Sequence, residues 1–341
     1  MKNKYYLNSL IIGVVIAVVL NFFTLPYYVT RPGDAQELGP LVSVEGGNTD
    51  EGSFMLTTVK MGKANVFTYA FAKLSDYQYI YPIAQIRGEN ETDEEYSYRQ
   101  LHMMESSKET AIKVAYEKAN KEVELISKGV YVFKVLEGMP AENKLTIGDR
   151  ITHINGEETP TAESFMEQVS VKEIGETIEV TYDRNDQEEK TKITLAEHPE
   201  KPGFPGVGIS LLTDYEITTN PAITINTAQI GGPSAGLMFS LEIYNQLVEE
   251  DISKGFKIAG TGAINEKGEV GRIGGISQKV LAADNAGVDI FLAPYENGAE
   301  NSNYNEAVDA AKDIKTDMKI VPVNTFDDAI EYLEKLERKS N

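Results

Sequence analysis

Apolar and polar residues alternate through much of residues 41–90, as in Gly52-Ser-Phe-Met-Leu-Thr-Thr-Val-Lys60 and Asn65-Val-Phe-Thr-Tyr-Ala-Phe71. A two-residue period sends successive side chains to opposite faces, so both stretches are predicted as strands with one buried face. The acidic run Gly88-Glu-Asn-Glu-Thr-Asp-Glu-Glu-Tyr96 reads as a solvated connector. The period lengthens over residues 106–126, where Ala111, Val114, Ala115 and Ala119 share one stripe of a helix. From Gly129 strands and turns return, punctuated by Gly138-Met-Pro-Ala141 and Ile154-Asn-Gly-Glu157, with a helix around residues 163–169. Glu197-His-Pro-Glu-Lys-Pro-Gly203 reads as a linker. A strand over 222–229, a glycine-rich turn and a helix over 234–250 follow, and further strands and helices lead to a charged tail at Arg338. Helices and strands in blocks of this kind predict an α+β fold.

The amino-terminal pattern is different. No charge lies between Lys4 and Arg31, and residues 7–25 are apolar enough to cross most of a bilayer as one helix. Asn21-Phe-Phe-Thr-Leu-Pro-Tyr-Tyr28 offers no small-residue cleavage site, so the segment is expected to be an anchor. Lys2 and Lys4 place the short leading side in the cytoplasm, which makes the protein single-pass in the cell membrane with everything after Arg31 outside.

Composition narrows the chemistry. The 341 residues carry 32 Lys plus Arg against 53 Asp plus Glu, a net charge of −21. Phosphate contacts need basic side chains, so nucleic acid is not an expected partner. There is no cysteine, which removes thiolate metal sites and thiol nucleophiles and leaves oxygen or amine as the nucleophile.

The block Gly231-Gly-Pro-Ser-Ala-Gly-Leu237 crowds small residues around Ser234 at a predicted helix start. Free N–H groups there can hold a developing oxyanion, although a serine in such a place is by itself more often a helix cap. Gly274-Gly-Ile-Ser-Gln-Lys-Val-Leu-Ala-Ala-Asp-Asn-Ala-Gly287 sets Lys279 in an apolar helical stretch. Burial would lower the pKa of that amine until it could take a proton from a hydroxyl, whereas an ordinary helix lysine snorkels to water. His102, His153 and His198 lie in no catalytic-looking context, and His153 reads as a satisfied histidine of a strand. No lysine has a serine three residues before it, so the Ser-x-x-Lys pattern of penicillin-binding enzymes is absent.

Two resemblances organise these features. Gly129-Val-Tyr-Val-Phe-Lys-Val135, Gly138-Met-Pro-Ala141 and Leu145-Thr-Ile-Gly-Asp-Arg-Ile-Thr-His-Ile-Asn-Gly156 resemble a PDZ domain of bacterial proteases. Such domains add an extended peptide to a sheet edge. The resemblance implies that Gly129, Val130, Tyr131 and Val132 form the carboxylate loop and strand edge, with Phe165 and Val169 on the facing helix; the plain alternative is that these residues fill a small core.

Gly232-Pro-Ser-Ala-Gly236, Gly260-Thr-Gly262 with Gly271-Arg-Ile-Gly-Gly275, and Lys279-Val-Leu-Ala-Ala283 resemble the signature blocks of the Lon-type proteolytic domain. By that resemblance Ser234 is the nucleophile, Lys279 the general base, and Thr261, Gly232 and Gly236 support them. Ala263 and Gln278 stand where the family pattern usually has acidic residues. No Gly-x-x-x-x-Gly-Lys-Ser/Thr phosphate loop occurs, so cleavage is expected without ATP.

The whole is similar to a membrane-anchored, PDZ-containing Lon-like serine protease of Gram-positive bacteria. The expected organisation is a cytoplasmic stub and anchor over 1–30, a Lon-like first part over 31–123, an inserted PDZ domain over 124–200 and a Lon-like second part with the Ser–Lys dyad over 201–341. Expected substrates are extracytoplasmic peptides or small membrane-associated regulatory proteins, with no cofactor or metal; the resemblance leaves open whether the chain forms homo-oligomers, as Lon-type domains often do. The alternative from another class is a non-catalytic PDZ peptide-binding adaptor at the membrane.

Overall fold

The computed structural model describes residues 2–49, 51–87, 91–198, 201–227 and 230–339. Two compact units emerge, Met1–Thr92 with Gln100–Lys121 and Ile223–Asn341, and Asp93–Arg99 with Glu122–Ala222. The chain opens with helix α1 (Lys2–Phe22), strands β1 (Thr24–Glu37), β2 (Val42–Val44) and β3 (Ser53–Asn65), helix α2 (Val66–Ala72), strand β4 (Tyr79–Pro82) and helices α3 (Ile83–Ile86) and α4 (Asp93–Lys118). Among the described residues no helix is long and apolar enough to cross a membrane.

Two expectations change here. Asn65-Val-Phe-Thr-Tyr-Ala-Phe71 is a helix, not a strand: the Asn65 side chain accepts from the Thr68 N–H at 2.8 Å and Thr68 Oγ1 accepts from the Asn65 N–H at 2.9 Å, a capping box that starts α2. The helix expected over 106–126 begins at Asp93, where Asp93, Glu94 and Glu95 offset the positive end of the helix dipole. It ends before 120: Asn120 turns left-handed at φ 54°, and the Lys121 N–H reaches back to the Tyr116 carbonyl at 2.9 Å. Residues 93–96 of the acidic run are therefore helical, and residues 88–90 lie outside the described residues.

The second unit holds β5 (Glu122–Val135), β6 (Arg150–Ile154), β7 (Glu157–Glu158), α5 (Ala162–Ser170), β8 (Thr177–Arg184), β9 (Gln187–Thr194), β10 (Ala196–His198), β11 (Lys201–Gly206) and β12 (Ile209–Asn220). Positive φ at Asn155 and Gly156 makes the turn between β6 and β7. Thr161 and Ser164 cap α5 reciprocally. The antiparallel sheet runs β12-β5-β6-β8-β9, and Val130, Val132, Ile151, Phe165, Val169, Ile178 and Ile193 are buried together beneath it. The presumed linker at 197–203 is instead part of the β10–β11 hairpin, with residues 199–200 outside the described ones. Because β12 pairs with β5 along its whole length, this unit closes at 222, beyond the boundary of 200 read from turn signals.

The first unit resumes with β13 (Ile223–Ile225), α6 (Gly236–Leu247), β14 (Lys257–Gly260), the β15 (Ala263–Ile264) and β16 (Val270–Gly271) hairpin, α7 (Ile276–Asn285), β17 (Ile290–Pro294), α8 (Asn303–Ile314), β18 (Lys319–Val323) and α9 (Phe326–Glu334). The strand expected over 222–229 is the shorter β13, and residues 228–229 lie outside the described ones. The main sheet runs β18-β17-β14-β3-β1-β4, parallel from β18 to β3 and antiparallel beyond. All five residues of β17 are buried, as a parallel strand covered on both faces requires. Ile276, Val280 and Ala283 of α7 pack with Ala259, Phe291 and Ala307, which fixes α7 beside the end of β14. Each large side chain buried in this way contributes about 1.5–3 kcal/mol.

Candidate functional site

Ser234 sits in the turn that leads into α6, two residues before the helix begins. Gly232 holds φ 90°, a left-handed conformation that a residue with a Cβ adopts at a cost, and its N–H donates to the Gln100 carbonyl at 2.8 Å. Gly236 permits close approach, since a Cβ there would lie 2.8 Å from Ile264 Cγ2 and 2.9 Å from Ser107 Oγ. The Ser234 carbonyl accepts from the Gly262 N–H at 2.9 Å and from Thr261 Oγ1 at 2.9 Å. These bonds pin the Ser234 backbone without using its hydroxyl. The cap of α6 is Ala235, with no side-chain bond, so Ser234 is not a capping serine. The N–H groups of Gly236 and Leu237 are taken by the carbonyls of Pro233 and Gly262, whereas that of Ala235 has no backbone acceptor among the described residues.

Lys279 lies on α7 with 3% of its surface exposed. Its Nζ stands 2.8 Å from Ser234 Oγ, 2.9 Å from the Thr57 carbonyl and 3.0 Å from Thr261 Oγ1. No carboxylate is among these partners. Desolvation of the charged form pulls the amine pKa down from 10.5 to about 7. A neutral amine has two hydrogens and one lone pair. The Thr57 carbonyl can only accept, and Thr261 Oγ1 has already committed its hydrogen to the Ser234 carbonyl. Both N–H hydrogens are therefore occupied, and the lone pair is left to face the Ser234 hydroxyl.

Ser234, Lys279 and Gly232 line a cavity of about 590 Å³ whose wall also includes Val59, Met104 and Ile230, while Thr261 stands behind it, bonded to Lys279 Nζ and to the Ser234 carbonyl, and Gly236 opens α6 two residues after Ser234. Thr57 is the partner that sequence reasoning missed. Alternation placed it on a strand, but its main-chain oxygen does the work, and every residue carries that atom. Gln278 is buried and ties α7 to the sheet by donating to Thr30 Oγ1 at 3.1 Å and to the Tyr77 carbonyl at 2.9 Å. Ala263 pairs with Gly271 in the β15–β16 hairpin.

The residues read as a peptide groove take a different place. β5 carries Gly129, Val130, Tyr131 and Val132, and both of its edges are paired there, with β12 on one side and β6 on the other. Val130 and Val132 are fully buried, and Phe165 and Val169 join them in the core. The Tyr131 ring stacks on Tyr98 at 5.8 Å, and a Cβ at Gly129 would meet the Ile151 carbonyl at 2.5 Å. Here the core reading wins over the groove reading, because β12 occupies the edge that a peptide would need.

The family model of the Lon protease (S16) C-terminal proteolytic domain matches residues 225–335, and that of a PDZ domain matches residues 103–195. The Lon protease of Metamycoplasma arthritidis is 32% identical over 111 residues, 33% of this chain and 12% of the relative. That of Campylobacter concisus is 37% identical over 100 residues, 29% of this chain and 11% of the relative. This chain thus spans about an eighth or less of these relatives' length. The PDZ domain of the SdrC-like protein from Listeria monocytogenes is 34% identical, covering 24% of this chain and 86% of that chain with a TM-score of 0.23. Its counterpart from Listeria innocua is 33% identical, covering 25% of this chain and 93% of that chain, also with a TM-score of 0.23. The chain is a mixed α/β protein that carries a PDZ domain and a Lon-type proteolytic domain.

Proposed function

We propose that this protein is a membrane-anchored serine endopeptidase in which Ser234 is the nucleophile and Lys279 the general base. The observation that carries the proposal is the buried amine 2.8 Å from Ser234 Oγ. Ser234 Oγ attacks the carbonyl carbon of the scissile bond while its proton passes to Nζ. The oxyanion faces the N–H of Ala235 at the start of α6. Collapse breaks the C–N bond, and the ammonium returns its proton to the departing amine. Water then attacks the ester carbonyl, again losing a proton to Nζ, and Ser234 Oγ leaves with that proton.

The remainder of the proposal rests on sequence. The charge-free run between Lys4 and Arg31 anchors the chain with its catalytic part outside the cell. The substrates are extracytoplasmic peptides or small membrane-associated regulatory proteins, recruited through the PDZ domain, and no nucleotide is needed.

The test is to incubate the full chain with an unfolded protein library and follow new termini by mass spectrometry. Ser234→Ala and Lys279→Ala are each expected to abolish cleavage while the circular dichroism spectrum is retained, because the pair works as a unit. Full activity in either variant refutes the dyad, and a wild-type chain that binds peptides but cuts none selects the adaptor reading instead.

A further inference from the structure

Helix α2 carries apolar side chains both inside and outside the core. Tyr69 and Ala72 pack inward with Val29, Ala64 and Tyr27, whose ring lies 5.2 Å from that of Tyr69. Phe67 and Phe71, one turn apart, stay outside and are 37% and 67% exposed. Leu74, 85% exposed, prolongs the stripe in the turn that closes the helix, where its N–H donates to the Phe71 carbonyl at 3.0 Å. Positions 67, 71 and 74 follow the i, i+4, i+7 spacing of one helical face. The inner side chains already dock α2 on the sheet, so the outer stripe adds nothing to the core.

The stripe begins where α1 ends. Asn65, the capping residue of α2, donates from Nδ2 to the Asn21 carbonyl at 3.2 Å and to Asn21 Oδ1 at 3.1 Å, in the last turn of α1. Phe22 and Phe23 beside it are 78% and 61% exposed. The charge changes sign here as well: residues 52–75 hold Lys60, Lys63 and Lys73 and no Asp or Glu, in a chain of net charge −21. Lys60 is paired with Asp34, whereas Lys73 lies 5.9 Å from the Tyr69 ring and, like Lys63, is exposed. Aromatic rings beside lysines suit a membrane–water interface, where the rings sit at headgroup level and the ammonium groups meet anionic lipids. Size points the same way. A stable soluble partner takes about 20–30 residues a side, far more than this stripe offers. Next to an anchor the stripe needs little affinity of its own, because the tether keeps it at the surface.

Resting on the reading of α1 as an anchor, we propose that α2 lies in the headgroup layer of the same bilayer, with Phe67, Phe71 and Leu74 at the acyl boundary and Lys63 and Lys73 among anionic headgroups. The first unit is then fastened at two points, α1 and α2. It cannot turn freely about the end of α1, and one fixed side of it meets the lipid.

The chain has no tryptophan, so a single introduced one reports alone. Full-length Phe71→Trp is reconstituted in vesicles of phosphatidylcholine and phosphatidylglycerol whose acyl chains carry a nitroxide either just below the headgroup or near the chain end. The shallow nitroxide is expected to quench the tryptophan at least two-fold more than the deep one, with the circular dichroism spectrum retained. Leu74→Trp, at a more exposed position, gives the same reading should Phe71→Trp not fold. Lys335→Trp at the end of α9, where the lysine side chain is 76% exposed, is expected to stay unquenched. In the Leu74→Trp chain, adding Phe67→Ser and Phe71→Ser is expected to remove at least half of the quenching. Quenching that survives the two serines, or that is equal in Lys335→Trp, comes from proximity alone and overturns the proposal. A dimer in detergent that Phe71→Ser dissolves, read by sedimentation, also overturns it and gives the face to a second copy. Flotation separates the two readings. A chain that floats with the vesicles yet is unquenched in Phe71→Trp overturns only the docking of α2, and one that does not float overturns the anchor.

Discussion

Lys279 has no carboxylate to hold its charge, and that absence sets its pH behaviour. Its folded pKa is about 7 against 10.5 for the free amine, lowered by desolvation alone. With Lys279 as the proposed base, neutral above about pH 7, kcat/KM is expected to fall ten-fold per unit below that pH and to level off above it. Stability rises with pH too, but over a different window. Between about 7 and 10.5 the unfolded chain binds a proton that the folded chain refuses, so stability rises with pH through that window and bears the full burial cost below it. Lys279→Met, similar in volume and uncharged, should be inactive yet melt higher than wild type. The gain should be largest below about pH 7 and vanish above 10.5, as read by thermal unfolding across pH. A variant that melts lower throughout would mean that the amine's three bonds outweigh its desolvation.

At the scale of elements, the telling case is β5. A sheet edge works as a peptide site only while it lacks a neighbour, and β12 runs against β5 from Ile209↔Val135 to Asn220↔Glu122. Phe165 is 4% exposed in the core beneath this sheet. Phe165→Ala is therefore expected to cost about 3–5 kcal/mol of the second unit's stability, seen as a lowered denaturation midpoint. A change in peptide binding with no change in midpoint would instead return Phe165 to a groove.

For the whole molecule, the two units give a revised dissection. Cutting at 124 and 200 would leave β12 without β5, stranding an apolar strand. Excising 122–222 and joining the ends through a Gly-Ser linker is expected to leave a folded first unit in which Ser234 still reacts with a small phosphonofluoridate. Cleavage by the parent chain should be unaffected by ATP or by its removal with apyrase. An aggregated excision product, or cleavage that stops without ATP, would contradict these expectations.

Much of the site was legible in the sequence because side-chain identity carries it. Only a serine among glycines before a helix, and a lysine on an apolar helix face, could make this pair, and both identities survive as text. The capping box at Asn65 and Thr68 was legible too, but it lost to a seven-residue alternation too short to separate strand from helix. What the tertiary structure alone decided concerns the main chain. Thr57 meets Lys279 across 222 positions of sequence through an oxygen that every residue possesses. Whether Val130 borders an open edge depends on where the neighbouring strand ends, and β12 runs the full length of β5. Side chains set which faces are buried, but backbone groups are chemically alike along the chain, so only the assembled sheet determines which remain unpaired.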